Sequence, residues 1–333
     1  MPRKKGSQII VADVGGTNAR FALAEVQSHQ LEQISLSHEE TYASGNYPSL
    51  GDVLATYREQ HQIDTGLVCM AVAGPVSDGK AKFTNLDWQV NASRIEEKFS
   101  LEHVSIINDF AAFAQATPYL PQQDMSRLID APGAAGAPIA AIGAGTGFGV
   151  AALAHTNKGY QVSAAEGGHT ILAAADEFQW QILQAAKEEF DYICVERLLS
   201  GTGLALLYRC VAKVNGQQVQ HYQSADVSRL AVSGQDSTCE QTLNLFCQWL
   251  GAVAGDIALI QGARGGVVIG GGVLPRFIDF VKASPFEQAF KAKGLMTEYM
   301  GDIPVDISLN TNAALVGSAI FLANELADSG MRQ

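Results

Sequence analysis

The sequence predicts an α/β protein of two lobes built around a duplicated strand, glycine-turn, strand unit. The first copy is Ile9 to Ala24, IIVADVGGTNARFALA, in which two apolar runs flank an Asp and a Gly-Gly-Thr-Asn turn. The second follows Ile139 to Ile142, where Gly143-Ala-Gly145-Thr-Gly147-Phe-Gly149 turns the chain into the apolar run Val150 to Ala154. A third observation is size: 333 residues with 47% hydrophobic composition can bury two cores. Two related lobes facing each other would each offer a glycine hairpin to one ligand in the cleft between them.

In the first hairpin, Ile9, Ile10 and Val11 suit a buried strand and Phe21 to Ala24 its partner. Gly15 and Gly16 permit positive φ, which lets backbone N–H groups converge on an anion, and Thr17 and Asn18 add side-chain donors. Asp13 closes the first strand. A carboxylate beside a phosphate pocket is repulsive unless a cation such as Mg²⁺ lies between them. The same residues also suit an ordinary Gly-Gly hairpin with polar tips.

A segment of mixed polarity leads to Pro48, after which Leu50, Val53, Leu54 and Tyr57 recur at helical spacing. Leu67 to Val72 reads as a buried strand running into Ala73-Gly74-Pro75, and Ser77-Asp78-Gly79 as a turn before Phe83-Thr84-Asn85-Leu86-Asp87-Trp88. Val104 to Ile107 form a short strand ending at Asn108-Asp109, with a helix expected from Phe110. Residues 118–138, rich in Pro, Gln, Gly and Ala, read as a connection between lobes.

The second half is mostly helical: Phe178 with Ile182, then Leu204, Leu207 and Tyr208, then a long run in which Phe246, Trp249, Leu250, Val253, Ile257 and Ile260 share one face. Gly251 and Gly255 cost that helix propensity, so another element is expected to approach its backbone there. Val267 to Ile269 lead into Gly270 to Gly272, Ile303 to Leu309 read as a last strand, and Ala314 to Leu326 as a terminal helix.

The net charge of −12 disfavours nucleic-acid and anionic membrane partners. It does not disfavour a nucleotide, because backbone N–H groups and Mg²⁺ can hold one without a basic surface. Cys69, Cys194, Cys210, Cys239 and Cys247 are widely spaced, with no C-x-x-C pair and no Cys/His cluster, which fits a reduced cytoplasmic protein without structural zinc. Arg3, Lys4 and Lys5 precede an apolar run that Asp13 cuts short, so no export signal is read, and no apolar stretch of about 20 residues suggests a bilayer span. Neither glycine loop ends in the Lys-Ser/Thr of a Walker A motif, Phe148 stands where a dinucleotide fingerprint wants glycine, and protein-kinase signatures are absent.

Six separated motifs together carry a resemblance: DVGGTNAR at 13–20, IINDF at 106–110, GAGTGFGV at 143–150, EGGH at 166–169, ERLLSGTGL at 196–204 and GGGVLPRF at 270–277. Their order and spacing resemble the bacterial ATP-dependent glucokinases, nearly end to end. The resemblance implies the two-lobed actin-like ATPase (ribonuclease H-like) fold with an interlobe cleft, the small lobe spanning residues 1–118 plus 312–333 and the large lobe residues 119–311. The related repressor/ORF/kinase family carries a cysteine-rich zinc motif after its EGGH-like segment; Ile171 to Asp176 has no cysteine, which places the chain with the zinc-free glucokinases.

By the same resemblance, Asp109 is the catalytic base that accepts the proton of a sugar 6-hydroxyl as it attacks the γ-phosphorus of ATP. Read from its position alone, at a strand end before a helix, Asp109 is an N-cap rather than a base. Glu166, His169 and Glu196, with Asn108 and Asp109, match residues that hydrogen-bond sugar hydroxyls. Asp13, Gly15, Gly16, Thr17 and Asn18 match the first phosphate loop, Gly145, Thr146 and Gly147 the second, and Gly271, Gly272 and Val273 the segment near the adenosine. Mg²⁺ is expected at Asp13, through water. The implied substrates are glucose and MgATP, and the implied assembly is a homodimer. The alternatives are a kinase for another hexose, such as mannose or fructose, and a non-enzymatic actin-like ATP-binding sugar sensor.

Overall fold

In the computed structural model, which describes residues 7–27, 31, 33–83, 86, 88–157 and 159–328, the first apolar run is β1 (Ser7–Val14) and the second β2 (Asn18–Val26). They pair antiparallel from Ser7 opposite Val26 to Val14 opposite Ala19. Both belong to the first of two units, Met1–Gln122 with Asn310–Gln333; the second is Gln123–Leu309. Of the sequence features above, Arg3, Lys4, Lys5, Thr84, Asn85 and Asp87 lie outside the described residues.

β3 (Ser35–Ala43) extends the first sheet beside β2. The sequence did not announce it, because an edge strand that buries only Tyr42 needs little apolar alternation. Helix α1 (Leu50–His61) buries Leu50, Val53, Leu54 and Tyr57, the positions given by helical spacing, and Ser49 Oγ caps it by accepting the Asp52 N–H. β4 (Leu67–Val72) runs parallel to β1. β5 (Val76–Ser77), β6 (Lys80–Lys82) and β7 (Gln89–Asn91) form a small antiparallel sheet, turning at Asp78 and Gly79 with φ of 50° and 65°. After α2 (Ala92–Phe99), β8 (His103–Asn108) lies parallel to β4 and gives way to α3 (Asp109–Ala116). The sheet order is β3-β2-β1-β4-β8.

In the second unit, β9 (Met125–Ile129), β10 (Ile139–Ala144), β11 (Phe148–Thr156), β12 (Gly159–Ala165), β13 (Gly266–Gly270) and β14 (Val305–Ser308) are ordered β12-β11-β10-β13-β14-β9. The arrangement repeats that of the first unit: an antiparallel meander on one side of a central strand, and two parallel strands on the other. β9 corrects the expectation of a bare connection over residues 118–138. It pairs antiparallel with β14 at the sheet edge, half-buried from Met125 to Leu128 and buried only at Ile129, and so lacks a clear alternating pattern.

Helices α4 (Glu177–Ala186), α5 (Val195–Leu198), α6 (Gly203–Val214) and α7 (Ser224–Val232) lead to α8 (Ser237–Gln261). Phe246, Trp249, Leu250, Val253 and Ile257 of α8 are core, but Ile260 is 84% exposed, against the expectation that it shares their buried face. At 25 residues, α8 is also long and apolar enough to cross a membrane, which the sequence reading missed; most of it is buried inside its own unit, as a core helix is. The predicted close approach is real. A Cβ on Gly251 would strike the Phe286 carbonyl, and one on Gly255 would come within 2.6 Å of the Phe290 carbonyl, both on the helix formed by Phe286–Lys291.

That helix is α10, after α9 (Ile278–Ala283) and before α11 (Thr297–Gly301). The last helix, α12 (Ala313–Asp328), belongs to the first unit, where Leu315, Ala319 and Leu322 pack with Ile9, Val11, Cys69 and Ala71. Gly317 lets α12 lie against the backbone of α3, since a Cβ there would overlap the Ala112 carbonyl. The opposite face of the sheet carries Ile10, Ala12, Val68 and Met70 in a separate cluster with α1. All five cysteines are free and buried.

Candidate active site

The parallel strands β1, β4 and β8 bring their carboxyl ends to one edge of the first unit's sheet, and Asp13, Asn108 and Asp109 stand there. Asn108 is the N-cap of α3: its Oδ1 accepts from the N–H groups of Phe110 and Ala111, each at 3.0 Å. The cap role open to Asp109 is therefore filled by its neighbour. Asp109 begins the helix, and its Oδ1 accepts from Phe110 N–H at 2.8 Å and from Asn108 Nδ2 at 3.1 Å. Asn108 Nδ2 also donates to the Gly74 carbonyl at 3.1 Å, tying the helix start to the loop after β4.

Asp109 Oδ2 makes no hydrogen bond among the described residues. Burial pushes the carboxyl up to about 6 and the charge of Asp13 adds to this, while the hydrogen bonds from Phe110 and Asn108 pull it back. A carboxylate so held, with one oxygen anchored and the other open, is suited to accept a proton near neutral pH.

The turn of the first hairpin is closed by Gly15 N–H to the Asn18 carbonyl at 2.9 Å and pinned by Ser44, whose N–H meets the Thr17 carbonyl and whose Oγ meets that of Gly15. Gly15 does not use the left-handed φ that glycine permits, and a Cβ there would meet only the Asn18 carbonyl, at 3.7 Å. Openness toward a ligand, rather than φ, is what glycine supplies there. Thr17 and Asn18 are exposed at the tip.

Asp13 Oδ2 is paired with Arg20 Nη2 at 3.1 Å. The same guanidinium donates to the Thr311 carbonyl at 2.6 Å and to Asn312 Oδ1 at 2.9 Å, tying the hairpin to the start of α12. Asp13 keeps its second oxygen free of hydrogen bonds among the described residues. No cluster of three or more His, Cys, Asp or Glu able to enclose a metal occurs among those residues. One available carboxylate suits Mg²⁺, which takes one or two carboxylates together with phosphate oxygens and water.

In the second unit, Gly145 N–H closes the β10–β11 turn onto the Gly147 carbonyl at 2.9 Å. Three elements press on this turn. Glu196 Oε2 accepts the Phe148 N–H at 2.8 Å, and a Cβ on Gly147 would collide with that carboxylate. Gly201 N–H donates to the Gly145 carbonyl at 2.7 Å. Gly271, with φ of 96°, lies where a side chain would overlap the Ala144 carbonyl. Gly272 and Val273 follow at the end of β13, with Val273 buried.

The Glu166 to His169 turn packs on the same end of β11, because a Cβ on Gly168 would overlap the Phe148 carbonyl and one on Gly167 would crowd Val150. An Ile171–Cys194 bridge and the bond from Val195 N–H to the Thr170 carbonyl, 2.9 Å, tie this turn to the Glu196 segment. The side chains of Glu166 and His169 are exposed and 3.9 Å apart. Within this unit, Glu166, His169, Glu196 and the turn 145–147 thus form one neighbourhood; Asn108, Asp109 and Asp13 form another in the first unit. Arg20 and Gly201 received no role from the sequence. Gly201 had a legible signal, since Gly201-Thr202-Gly203 repeats Gly145-Thr146-Gly147. Arg20 had a partial one, since the hairpin sets it opposite Asp13; its other partners, Thr311 and Asn312, lie about 290 residues away in the chain.

A family model described as Glucokinase matches residues 10–325. The chain is 38% identical over 319 residues to the glucokinase of Tolumonas auensis, covering 96% of this chain and 98% of that one. Among solved structures it is similar to a glucokinase from an Antarctic psychrotroph, with a TM-score of 0.88, 39% identity, and 95% and 99% of the two chains covered. It shares its fold with a ROK family glucokinase from Streptomyces griseus in complex with glucose and AMPPNP, at a TM-score of 0.63, 19% identity, and coverage of 95% and 99%.

Proposed function

The chain belongs to the Glucokinase family, and on that premise we propose that it transfers the γ-phosphoryl group of MgATP to the 6-hydroxyl of glucose with Asp109 as general base. The fold is the actin-like ATPase fold of sugar kinases, and the activity is that of a glucokinase. The observation that carries the role of Asp109 is its carboxyl, raised to about 6 and open at Oδ2. Ionised at neutral pH, it takes the proton from O6 as that oxygen bonds to the γ-phosphorus, and the bond to the bridging oxygen breaks to release ADP.

Asn108, Glu166, His169 and Glu196 join Asp109 in binding the sugar, since carboxylates, an amide and an imidazole offer the donors and acceptors that vicinal hydroxyls need. The turns containing Gly15, Gly16, Thr17 and Asn18, and Gly145, Thr146 and Gly147, hold phosphates through backbone N–H groups, and Gly271, Gly272 and Val273 adjoin the adenosine. Asp13 would hold Mg²⁺ through water, where the ion neutralises charge developing on the phosphates. The units act as the small lobe, residues 1–118 with 312–333, and the large lobe, residues 119–311. Five free buried cysteines support a cytoplasmic site of action. The family resemblance supports a homodimer, which sedimentation at micromolar concentration tests.

The decisive experiment is ADP release measured against a panel of hexoses. Release that depends on glucose, exceeding that with mannose or fructose, is the expected result. Equal release with and without hexose overturns the reading.

A further inference from the structure

We infer that Glu196 is a positioning residue for the nucleotide turn at Gly145–Gly147 as well as a sugar contact, so that one carboxylate links the two substrates. This rests on the proposed assignment of that turn to the triphosphate. The turn is held on three sides, and two of the holds, from Gly201 and Gly271, are backbone. The third is the Glu196 side chain, whose Oε2 fixes the N–H of Phe148, the first residue after the turn. A Cβ on Gly147 would take the space that carboxylate now occupies, so glycine lets the carboxylate sit against the turn.

Glu196 Oε1 makes no hydrogen bond among the described residues, so it can accept from a sugar hydroxyl while Oε2 keeps its hold. An anion site made of backbone N–H groups works only when those groups already point at the charge. Anchoring Phe148 N–H fixes the plane of the peptide between Gly147 and Phe148, and with it the direction of the Gly147 carbonyl that closes the turn. A sugar hydroxyl that stiffens the carboxylate therefore stiffens the turn, and by reciprocity nucleotide binding favours sugar. The coupling lies within a single unit and needs no long pathway.

The test is calorimetric titration of the full chain with ADP and Mg²⁺, without sugar, and separately with glucose, on the unmodified protein, Glu196→Ala and Glu196→Gln. Circular dichroism melts verify the fold of each. Losing a charge-assisted hydrogen bond should weaken ADP binding by roughly 10-fold in Glu196→Ala, and glucose binding as well. Gln keeps an oxygen that can accept from Phe148 N–H, so Glu196→Gln should hold ADP affinity within about 3-fold while glucose binding stays impaired. If the Ala variant does not fold, Glu196→Met, which keeps similar volume but offers Phe148 N–H no oxygen acceptor, takes its place with the same loss of ADP affinity expected. ADP affinity in Glu196→Ala equal to that of the unmodified chain, with glucose binding lost, overturns the coupling but leaves the sugar role standing. A loss of ADP affinity in Glu196→Gln as large as that in Glu196→Ala also overturns it, because charge rather than the anchor would then be acting. An unmodified chain that does not bind ADP overturns the nucleotide assignment, and the coupling with it.

Discussion

Asn108 donates its side-chain amide to Asp109 Oδ1 at 3.1 Å while its own Oδ1 caps the helix that Asp109 begins. One residue thus both starts α3 and orients the carboxylate beside it. The arrangement leaves Asp109 Oδ2, the oxygen proposed to take the proton, without a hydrogen bond among the described residues, on a group whose ionisation is opposed mainly by burial.

Asp109→Asn should therefore lower kcat by at least about 100-fold, the low end for a positioned general base, while the protein folds. It should also be more stable at neutral pH. Because the folded carboxyl titrates at about 6, above its value of 3.8 in the unfolded chain, its contribution to stability is complete below pH ~4 and is lost as pH rises through ~6. Removing the charge should restore on the order of 1–2 kcal/mol above pH 6, allowing for residual solvent around a partly buried group. Denaturant melts of both proteins at pH 4.5 and pH 7.5 measure this: the difference should be roughly three-fold larger at the higher pH. In the unmodified enzyme, kcat/KM should fall with unit slope below pH ~6. An active, folded Asp109→Asn protein would remove the base assignment.

Asn108→Asp separates the capping role from the orienting one. Asp caps helices as well as Asn does, so α3 should keep its start, but the donors to Gly74 and Asp109 are lost. A second carboxylate beside Asp109 disfavours ionisation further. The acidic limb of the pH–rate profile should then move upward by about 1 unit, with little change in melting temperature. An unmoved limb would mean that the amide does not tune the base.

Much of this was written in local sequence. The duplicated hairpins, the helix at Leu50 to Tyr57 and the close approach at Gly251 and Gly255 each follow from apolar period or glycine placement, and the structure contains them. β3, β9 and β12 escaped because edge strands with mixed faces carry weak alternation. Ile260 was misplaced because helical period gives a face, while the end of that face is set by where the neighbouring elements stop. In the site, the Asn108 cap required only the residue next to Asp109. The Arg20 network and the Glu196 anchor needed tertiary proximity, across 292 and 48 residues.

Asp13→Ala should leave glucose affinity intact and raise the Mg²⁺ concentration needed for half-maximal ADP binding, because Asp13 is the carboxylate proposed to hold the ion through water. Arg20→Lys should act in the same direction more weakly. Lysine keeps the charge beside Asp13 but cannot reach Asp13, Thr311 and Asn312 together with a planar fork. Mg²⁺ titrations of ADP binding at fixed ionic strength measure both. Unchanged titrations in Asp13→Ala would remove its metal role.

Two glycines predict stability changes of opposite sign for the same substitution. Gly251 lies mid-helix in α8, where Ala is intrinsically favoured by about 1 kcal/mol. Its Cβ would overlap the Phe286 carbonyl, which is backbone and cannot rotate aside, so α8 and α10 must separate. Forcing volume into a packed contact costs roughly 1–3 kcal/mol, which outweighs the propensity gain, and Gly251→Ala should lower Tm. Gly301, the last residue of α11, has no atom within 4 Å of a built Cβ and no left-handed φ. Gly301→Ala should therefore raise stability by about 0.4–1 kcal/mol, chiefly by restricting the unfolded chain. Thermal melts of the two variants side by side decide the matter: a Gly251→Ala protein as stable as Gly301→Ala would mean that the α8–α10 contact yields to an added methyl group.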